Sequence, residues 1–419
     1  NGQMSEPKEY WDIFDERSDL SKKSETEIQE EVIRLLKTSV KYRLESDVPV
    51  GVFLSGGIDS SLNTALFSEI AKEPVRAFSI GYENDSSLKS YKNEFIYARK
   101  VSEMYGCKYT EQELTQQNLM DFLPEMIHYQ DEPIGDPVCV PLYYVSKLAR
   151  DNGVTVCQVG EGSDELFGGY HYWKQSLEME RYSHLPLTKP FKYIAQKFMG
   201  WAGKKNTVLY ELIRRSHHEK NQIFWGSVTS FGEEEKQALL GSAIKDKLKN
   251  YSTWEDIEPY YKRYTERSPE IAPLNWMSYF DLKMRIPELL LMRVDKMSMA
   301  VALEARVPFL DHKFVAYAMS IPAEMKIKNR EPKNKIKKAV EKILPHDVIY
   351  RKKQGFGAPV YDWFLDELGV MAKTEIDVFI DKTQLLNKEM IDSYFEKKEG
   401  TKIWYILNFV LWYKQYIGY

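Results

Sequence analysis

Apolar residues between Glu25 and Leu44 recur at helical spacing (Ile28, Val32, Leu35, Leu36, Val40), which predicts an amphipathic helix. Val48–Leu54 follows as a short apolar run that ends in a Gly/Ser cluster, the pattern of a strand buried on both faces. Val75–Ile80 and Val154–Val159 repeat that pattern, and helical periodicity fills Ser60–Ala71, Glu94–Tyr105, Asn118–Tyr129 and Pro141–Asp151. Strands alternating with helices predict a doubly wound α/β core with a parallel sheet, whose ligands bind at the carboxyl ends of the strands. Beyond about residue 173 strand signals fade and helical patterns dominate to the end. The expected division is a linker or docking segment at 1–24, an α/β core at 25–172 and a mainly helical remainder at 173–419.

Composition narrows the class. A chain of 419 residues with 43% hydrophobic and 29% charged positions is globular, neither disordered nor collagenous. A net charge of −4 gives no support for nucleic-acid binding. Its three cysteines, Cys107, Cys139 and Cys157, show no metal-site spacing and fit a reducing compartment, most simply the cytoplasm. No apolar run approaches the roughly 20 residues of a membrane-spanning helix, so no membrane partner is expected. The start, Asn1-Gly2-Gln3-Met4, has no signal-peptide hydrophobic region and reads as that of a processed or truncated product.

The most informative stretch is Leu54-Ser55-Gly56-Gly57-Ile58-Asp59-Ser60-Ser61, between a predicted strand and a predicted helix. Paired glycines let backbone N–H groups approach a ligand, and the helix that follows aims its positive end at the same place. Serine hydroxyls at 55, 60 and 61 can donate to phosphate oxygens. Asp59 would repel phosphate unless a cation stands between them, which implies Mg²⁺. The competing reading is a plain strand-to-helix turn with Ser60 as N-cap. The string is neither a Walker loop, which needs a lysine before Ser/Thr, nor a dinucleotide G-x-G-x-x-G. A second glycine-rich loop, Gly160–Tyr170, crowds Glu161, Asp164 and Glu165 together, and such acids repel unless a metal or proton is shared. Helix capping is the bland alternative for them.

The phosphate loop resembles that of enzymes that split ATP between its α and β phosphates. Val159–Tyr170 (VGEGSDELFGGY), Glu304–Asp311 (EARVPFLD) and Arg351–Phe356 (RKKQGF), in that order, make the chain similar to the synthetase domain of the asparagine synthetase family. The resemblance runs from the helix near Glu25 to the aromatic C-terminus. It implies an ATP-pyrophosphatase-type core that activates a carboxylate as an acyl-adenylate and amidates it with ammonia. It also implies nucleotide contacts at Leu54, Ser55, Gly56, Gly57, Asp59, Ser60, Ile80 (against adenine) and Gly160, with Asp59 and Asp164 on Mg²⁺. Glu161 would orient or deprotonate ammonia, as a carboxylate with a raised pKa could, and Lys353 would stabilise the departing pyrophosphate.

Lys326–Lys353 holds eleven Lys/Arg against three acids. Most of these cations read as a solvated face, with Lys333 and Lys337 as candidate phosphate contacts. Asp295 and Arg306 read as scaffolding, with a buried ion pair as one form of it. His128 and His171 read as structural, and Trp404, Leu407 and Leu411 as the stripe of a buried helix. Family members carry a glutaminase domain with an N-terminal cysteine nucleophile. Here residue 1 is Asn1 and the first cysteine is Cys107, so ammonia is expected from a glutaminase domain or chain not present here, or free. The default acceptor is aspartate. The alternatives are a sugar uronate of surface polysaccharide biosynthesis and a non-catalytic nucleotide-binding scaffold. A homodimer stays open.

Overall fold

The computed structural model describes residues 4–6, 8–83, 92–183, 188–203, 207–216, 223–226, 230–327, 333–352, 354, 356–363 and 367–419. The first helix, α1 (Glu25–Tyr42), starts at a capping box: Ser24 accepts from the Glu27 N–H and Glu27 accepts from the Ser24 N–H. It buries Ile28, Val32, Leu36 and Val40, one residue per turn, each contributing roughly 1.5–3 kcal/mol. Strand β1 (Val50–Phe53) leads to α2 (Ile58–Ile70), then β2 (Arg76–Tyr82), α3 (Phe95–Met104) and β3 (Lys108–Leu114). Next come α4 (Gln116–Gln130), α5 (Cys139–Asp151), β4 (Val156–Gln158) and a short α6 (Ser163–Phe167).

Five strands form one parallel sheet in the order β3-β2-β1-β4-β5. The fifth, β5 (Glu304–Arg306), arrives from far down the chain, inside the stretch read as helical, and pairs with β4. β3 also escaped the apolar-run pattern: its sequence KYTEQEL is mostly polar because it lies at the sheet edge. Side chains alternate between two cores. Val52, Leu54 and Ala77 join α1 and α2, whereas Phe53, Phe78 and Ile80 join α4, α5 and the helices Glu367–Thr383 and Gly400–Tyr416. Trp404 and Leu407 are buried as expected, and no helix among the described residues is long and apolar enough to cross a membrane.

Ile13, Phe14 and Leu20 are buried, and Phe14 stacks on Tyr279 with ring centroids 5.2 Å apart. In this order the chain reverses direction across the sheet between β1 and β4. That is the switch point where open α/β sheets take their ligands.

Candidate active site

Both glycine-rich loops leave the sheet at that switch point, one from β1 and one from β4. Gly56 has φ +74°, and a Cβ there would press on Glu94, Tyr97 and Ala98 at the start of α3, so only glycine fits. Gly57, the N-cap of α2, has a side that meets only the Ser55 hydroxyl at 3.4 Å and the Arg351 guanidinium at 4.0 Å. Helix α2 therefore begins at Ile58 rather than at a Ser60 cap. Ser60 Oγ instead donates to the Gly57 carbonyl (3.2 Å) and accepts from the Ser55 N–H (3.2 Å), holding the loop open around its N–H groups. Gly160 lies against this loop, and a Cβ there would stand 3.1 Å from the Ser60 nitrogen.

Lys333 ties the two loops together. Its ammonium lies 2.5 Å from Asp59 Oδ2 and 2.7 Å from Asp164 Oδ1, and the residue is 3% exposed. The backbone of Lys333 adopts φ +56°, rare for a side-chain-bearing residue, and its N–H donates to the Phe167 carbonyl. Burial pushes the ammonium toward losing its proton, but the two carboxylates outweigh this and move its pKa well above the ordinary lysine value. Of the two lysines the sequence offered for phosphate contact, Lys333 is thus the bridge between acids. Lys337 lies one turn on, its ammonium 5.7 Å from the Tyr350 ring centre. Gly169 is the seat of this bridge, because a Cβ there would overlap Asp164 Oδ1 and the Lys333 chain. Asp164 sits in the first turn of α6, whose N-cap is Gly162 at φ +96°.

The two carboxylates suit a divalent cation. Asp59 Oδ1 is buried without a hydrogen-bond partner among the described residues, and the Lys333 charge stands between the acids where a metal's charge would fit. Magnesium commonly takes only one or two carboxylates because phosphates and water complete its shell. Clusters of three or more metal-binding side chains are absent among the described residues, which is compatible with that mode.

Glu161 faces a different cation. Arg293 reaches it at 2.9 Å with one guanidinium nitrogen and bonds Asp136 with the other. Arg293 is buried, and its acidic neighbours hold it charged against the cost of desolvation. Beneath the acidic loop, Glu165 is 1% exposed and accepts from the Tyr170 hydroxyl (2.5 Å) and Arg285 (3.1 Å). Burial, with Asp164 adding and Arg285 opposing, raises the Glu165 carboxyl to about 7. Arg285 also packs 4.6 Å from the Tyr170 ring centre and 3.8 Å from Asp281. Both arginines come from one helical run. Arg285 lies in a π-helical stretch, Asp281–Leu291, containing Pro287, and Arg293 in the helix Met292–Met299. Proline removes an N–H and crowds the preceding turn, which accounts for the widened winding.

Arg351 anchors the last motif. It pairs with Glu94, donates to the Gly56 carbonyl at 3.1 Å and covers the Tyr97 ring at 4.6 Å. Lys353 itself lies outside the described residues. Its neighbours are fixed: Gln354 donates to the Lys92 carbonyl and the Tyr82 hydroxyl to that of Gly357. Ile80 is buried in β2, in the core shared with α4 and α5. Asp295 and Arg306 do not form a buried pair. Asp295 is exposed, while Arg306 bonds Glu304 and the carbonyls of Arg43 and Glu45. His128 lies beside Tyr129 and Gln415 near the surface, and the His171 side chain lies outside the described set. Sequence reading passed over Arg285 and Arg293 because an isolated arginine carries no motif, and it named Arg351 only as the start of the RKKQGF string, without a role. The one available signal was the acid-rich loops, whose charge needs cations.

A doubly wound parallel sheet with a Gly/Ser loop and an acidic loop at its switch point defines the class, an open α/β protein with a candidate ligand site at its strand ends. A family model described as asparagine synthase matches residues 31–414. Asparagine synthetase [glutamine-hydrolyzing] 1 of Bacillus subtilis is 32% identical over 93% of this chain and 60% of its own length. A putative asparagine synthetase [glutamine-hydrolyzing] of Mycobacterium bovis is 30% identical over 93% of this chain and 58% of its own. Amidase chry2 of Gibberella zeae is 25% identical over 93% and 62% respectively. The chain belongs to the asparagine synthase family, and it spans about 60% of the length of these curated relatives.

Proposed function

We propose that the chain is the synthetase part of an ATP-dependent amide-forming ligase. The substrate carboxylate attacks the α-phosphorus of ATP, the α–β anhydride bond breaks, and pyrophosphate leaves an acyl-adenylate. Ammonia then adds to the acyl carbon and loses a proton, and AMP departs to leave the amide. Leu54, Ser55, Gly56, Gly57 and Ser60, with the start of α2, cradle the phosphates that leave together. Ile80 lies along the adenine, and Gly160 keeps the second loop low enough for the nucleotide. Asp59 and Asp164 would hold Mg²⁺, which neutralises phosphate charge when bound. Lys353, on the segment anchored by Arg351, stabilises the charge that develops on pyrophosphate. Glu161, oriented by Arg293, directs ammonia and receives its proton.

One observation carries this reading: Asp59 and Asp164, from loops far apart in sequence, meet on a single buried ammonium beside the N-terminus of α2, which has no side-chain cap. Aspartate is the proposed acceptor, in line with the names of the synthetases the chain resembles. Ammonia would come from a glutaminase domain or chain, or free from solution, in a cytoplasmic setting. Pyrophosphate release with ammonium and a panel of carboxylates tests this. Release stimulated by aspartate supports asparagine formation, and release only with a nucleotide-linked uronate moves the enzyme to sugar amidation. ATP binding without release for any acceptor makes the chain a scaffold. Lys353→Ala should lower turnover by about 10³-fold or more with nucleotide binding kept, and surviving turnover would remove that residue from the mechanism.

A further inference from the structure

The helix Thr188–Trp201 is built inside out. It packs on Val208–Arg215 and on His171–Ser183, the helix that leaves the acidic loop. The face toward the protein carries Lys192, Ala195, Gln196 and Met199, of which Lys192 is buried and Gln196 donates to the Tyr210 hydroxyl. The opposite face carries Phe191, Ile194, Phe198 and Trp201, at spacings of three, four and three residues. These four are 70%, 62%, 64% and 84% exposed. A surface helix normally turns such a stripe inward, so this one is apolar toward solvent for a reason other than folding.

Charge selects the occupant. From Thr188 to Lys205 the sequence holds five lysines (189, 192, 197, 204 and 205) and no acid, in a chain whose net charge is −4. Lys197 flanks the stripe, its ammonium 5.4 Å from the exposed Tyr193 ring. Lys192 is buried and Lys197 is exposed, and a two-fold contact with a second copy would set Lys197 and this acid-free segment against themselves. A nucleic acid would leave the four apolar side chains uncovered. Apolar side chains projecting outward between lysines, with an aromatic at the rim, match the boundary between acyl chains and negatively charged headgroups.

We propose that Thr188–Trp201 seats the protein on an anionic lipid surface, lying in the plane of the headgroups with Phe191, Ile194, Phe198 and Trp201 inserted. Its helix lies in the interface, so the lack of a membrane-spanning helix among the described residues does not bear on it. One helix with one basic cluster gives reversible, salt-sensitive attachment.

The test is flotation of the full chain with vesicles of phosphatidylcholine, with and without about one-third phosphatidylglycerol. The chain should float with the anionic vesicles at low salt, at least tenfold less with neutral ones, and be released by about 0.5 M salt. Phe198→Ser with Trp201→Ser should lower the bound fraction at least tenfold while far-UV dichroism and pyrophosphate release stay unchanged. Lys197→Glu should weaken flotation on anionic vesicles without changing that on neutral ones. Equal flotation of the Phe198→Ser/Trp201→Ser protein, or none of the parent on anionic vesicles, overturns the proposal. So does a parent dimer in light scattering that this pair of substitutions converts to monomer, since the stripe would then be a protein contact.

Discussion

Two clusters of buried charge are built on opposite principles. At the N-terminal segment, Asp12 is fully buried and three cations surround it: Arg263 at 2.5 Å, Lys283 at 3.4 Å and Arg267 at 3.5 Å. Its other oxygen accepts from the Phe14 N–H, so no valence is left over. At the switch point two carboxylates meet on one buried ammonium, and one oxygen of Asp59 has no partner among the described residues. The first cluster is closed and ties a segment to the helical layer. The second leaves an Asp59 oxygen unsatisfied among the described residues, and a bound Mg²⁺ would meet it. Burial and ion pairing alone therefore do not separate a clamp from a site; the unsatisfied carboxylate oxygen does.

The sharpest way to break this comparison is to remove one cation from each cluster. Lys333→Met leaves two half-buried carboxylates facing each other across a vacated buried position and should cost about 3 kcal/mol in urea unfolding. Millimolar Mg²⁺ should restore part of it. Arg263→Met should cost on the order of 1 kcal/mol, because Arg263 is partly exposed and Arg267 and Lys283 remain. Equal losses, or no response of the Lys333 variant to Mg²⁺, would erase the distinction.

A smaller intrusion reads the same site from its floor. In Gly169→Ala the new methyl has no room beside Asp164 and Lys333, so it should cost about 1–3 kcal/mol. Pyrophosphate release should fall more than stability does, by about 10²-fold, as a displaced acid misplaces the phosphates. Matched, small losses in both would show that the bridge adapts to the intrusion.

Legibility followed the same divide. Motif strings with glycines at fixed places announced both loops, because close backbone approach and positive φ restrict the residue type there. Asp59 was readable from its repulsion of phosphate and Asp164 from the crowding of acids, while Lys333, one cation in a run of eleven Lys/Arg, was readable only as a candidate phosphate contact and not as a bridge between acids. Its role exists only once β1 and β4 sit side by side. The same holds for Arg285 and Arg293, which lie on helices that read as ordinary core. Strand β5 was invisible for a related reason. Three residues, one of them Glu304, carry no periodicity, and only pairing with β4 makes them a strand. Strand β3 stayed hidden because an edge position tolerates polar residues on both faces.

Acid should release the clamp first. Burial raises the Asp12 carboxyl, but the Phe14 N–H, Arg263 and Lys283 outweigh it and the net direction is down. A lowered carboxyl contributes stability that is present above its unfolded value, near 3.8, and is lost as pH falls through its folded value. Asp12→Asn should therefore flatten the stability profile below about pH 4 and leave neutral pH unchanged in slope. Thermal unfolding across pH 2.5–5 checks it, and an unaltered acid limb would mean other carboxylates carry it.

Glu165 gives the smallest and most local effect, with the opposite sign. Its carboxyl is raised from 4.5 to about 7, so the stability tied to its proton is whole below about 4.5 and is lost as pH rises through about 7. Stability should fall across that window with a limiting slope of about 1.4 kcal/mol per pH unit, and Glu165→Gln should remove this slope while Asp12→Asn retains it. Asp164 is one of the causes that raise Glu165, so Asp164→Asn should shift the window downward without abolishing it. That shift would show the buried proton reporting charge in the site above. A window that stays in place would confine Glu165 to the Arg285–Tyr170 packing beneath it.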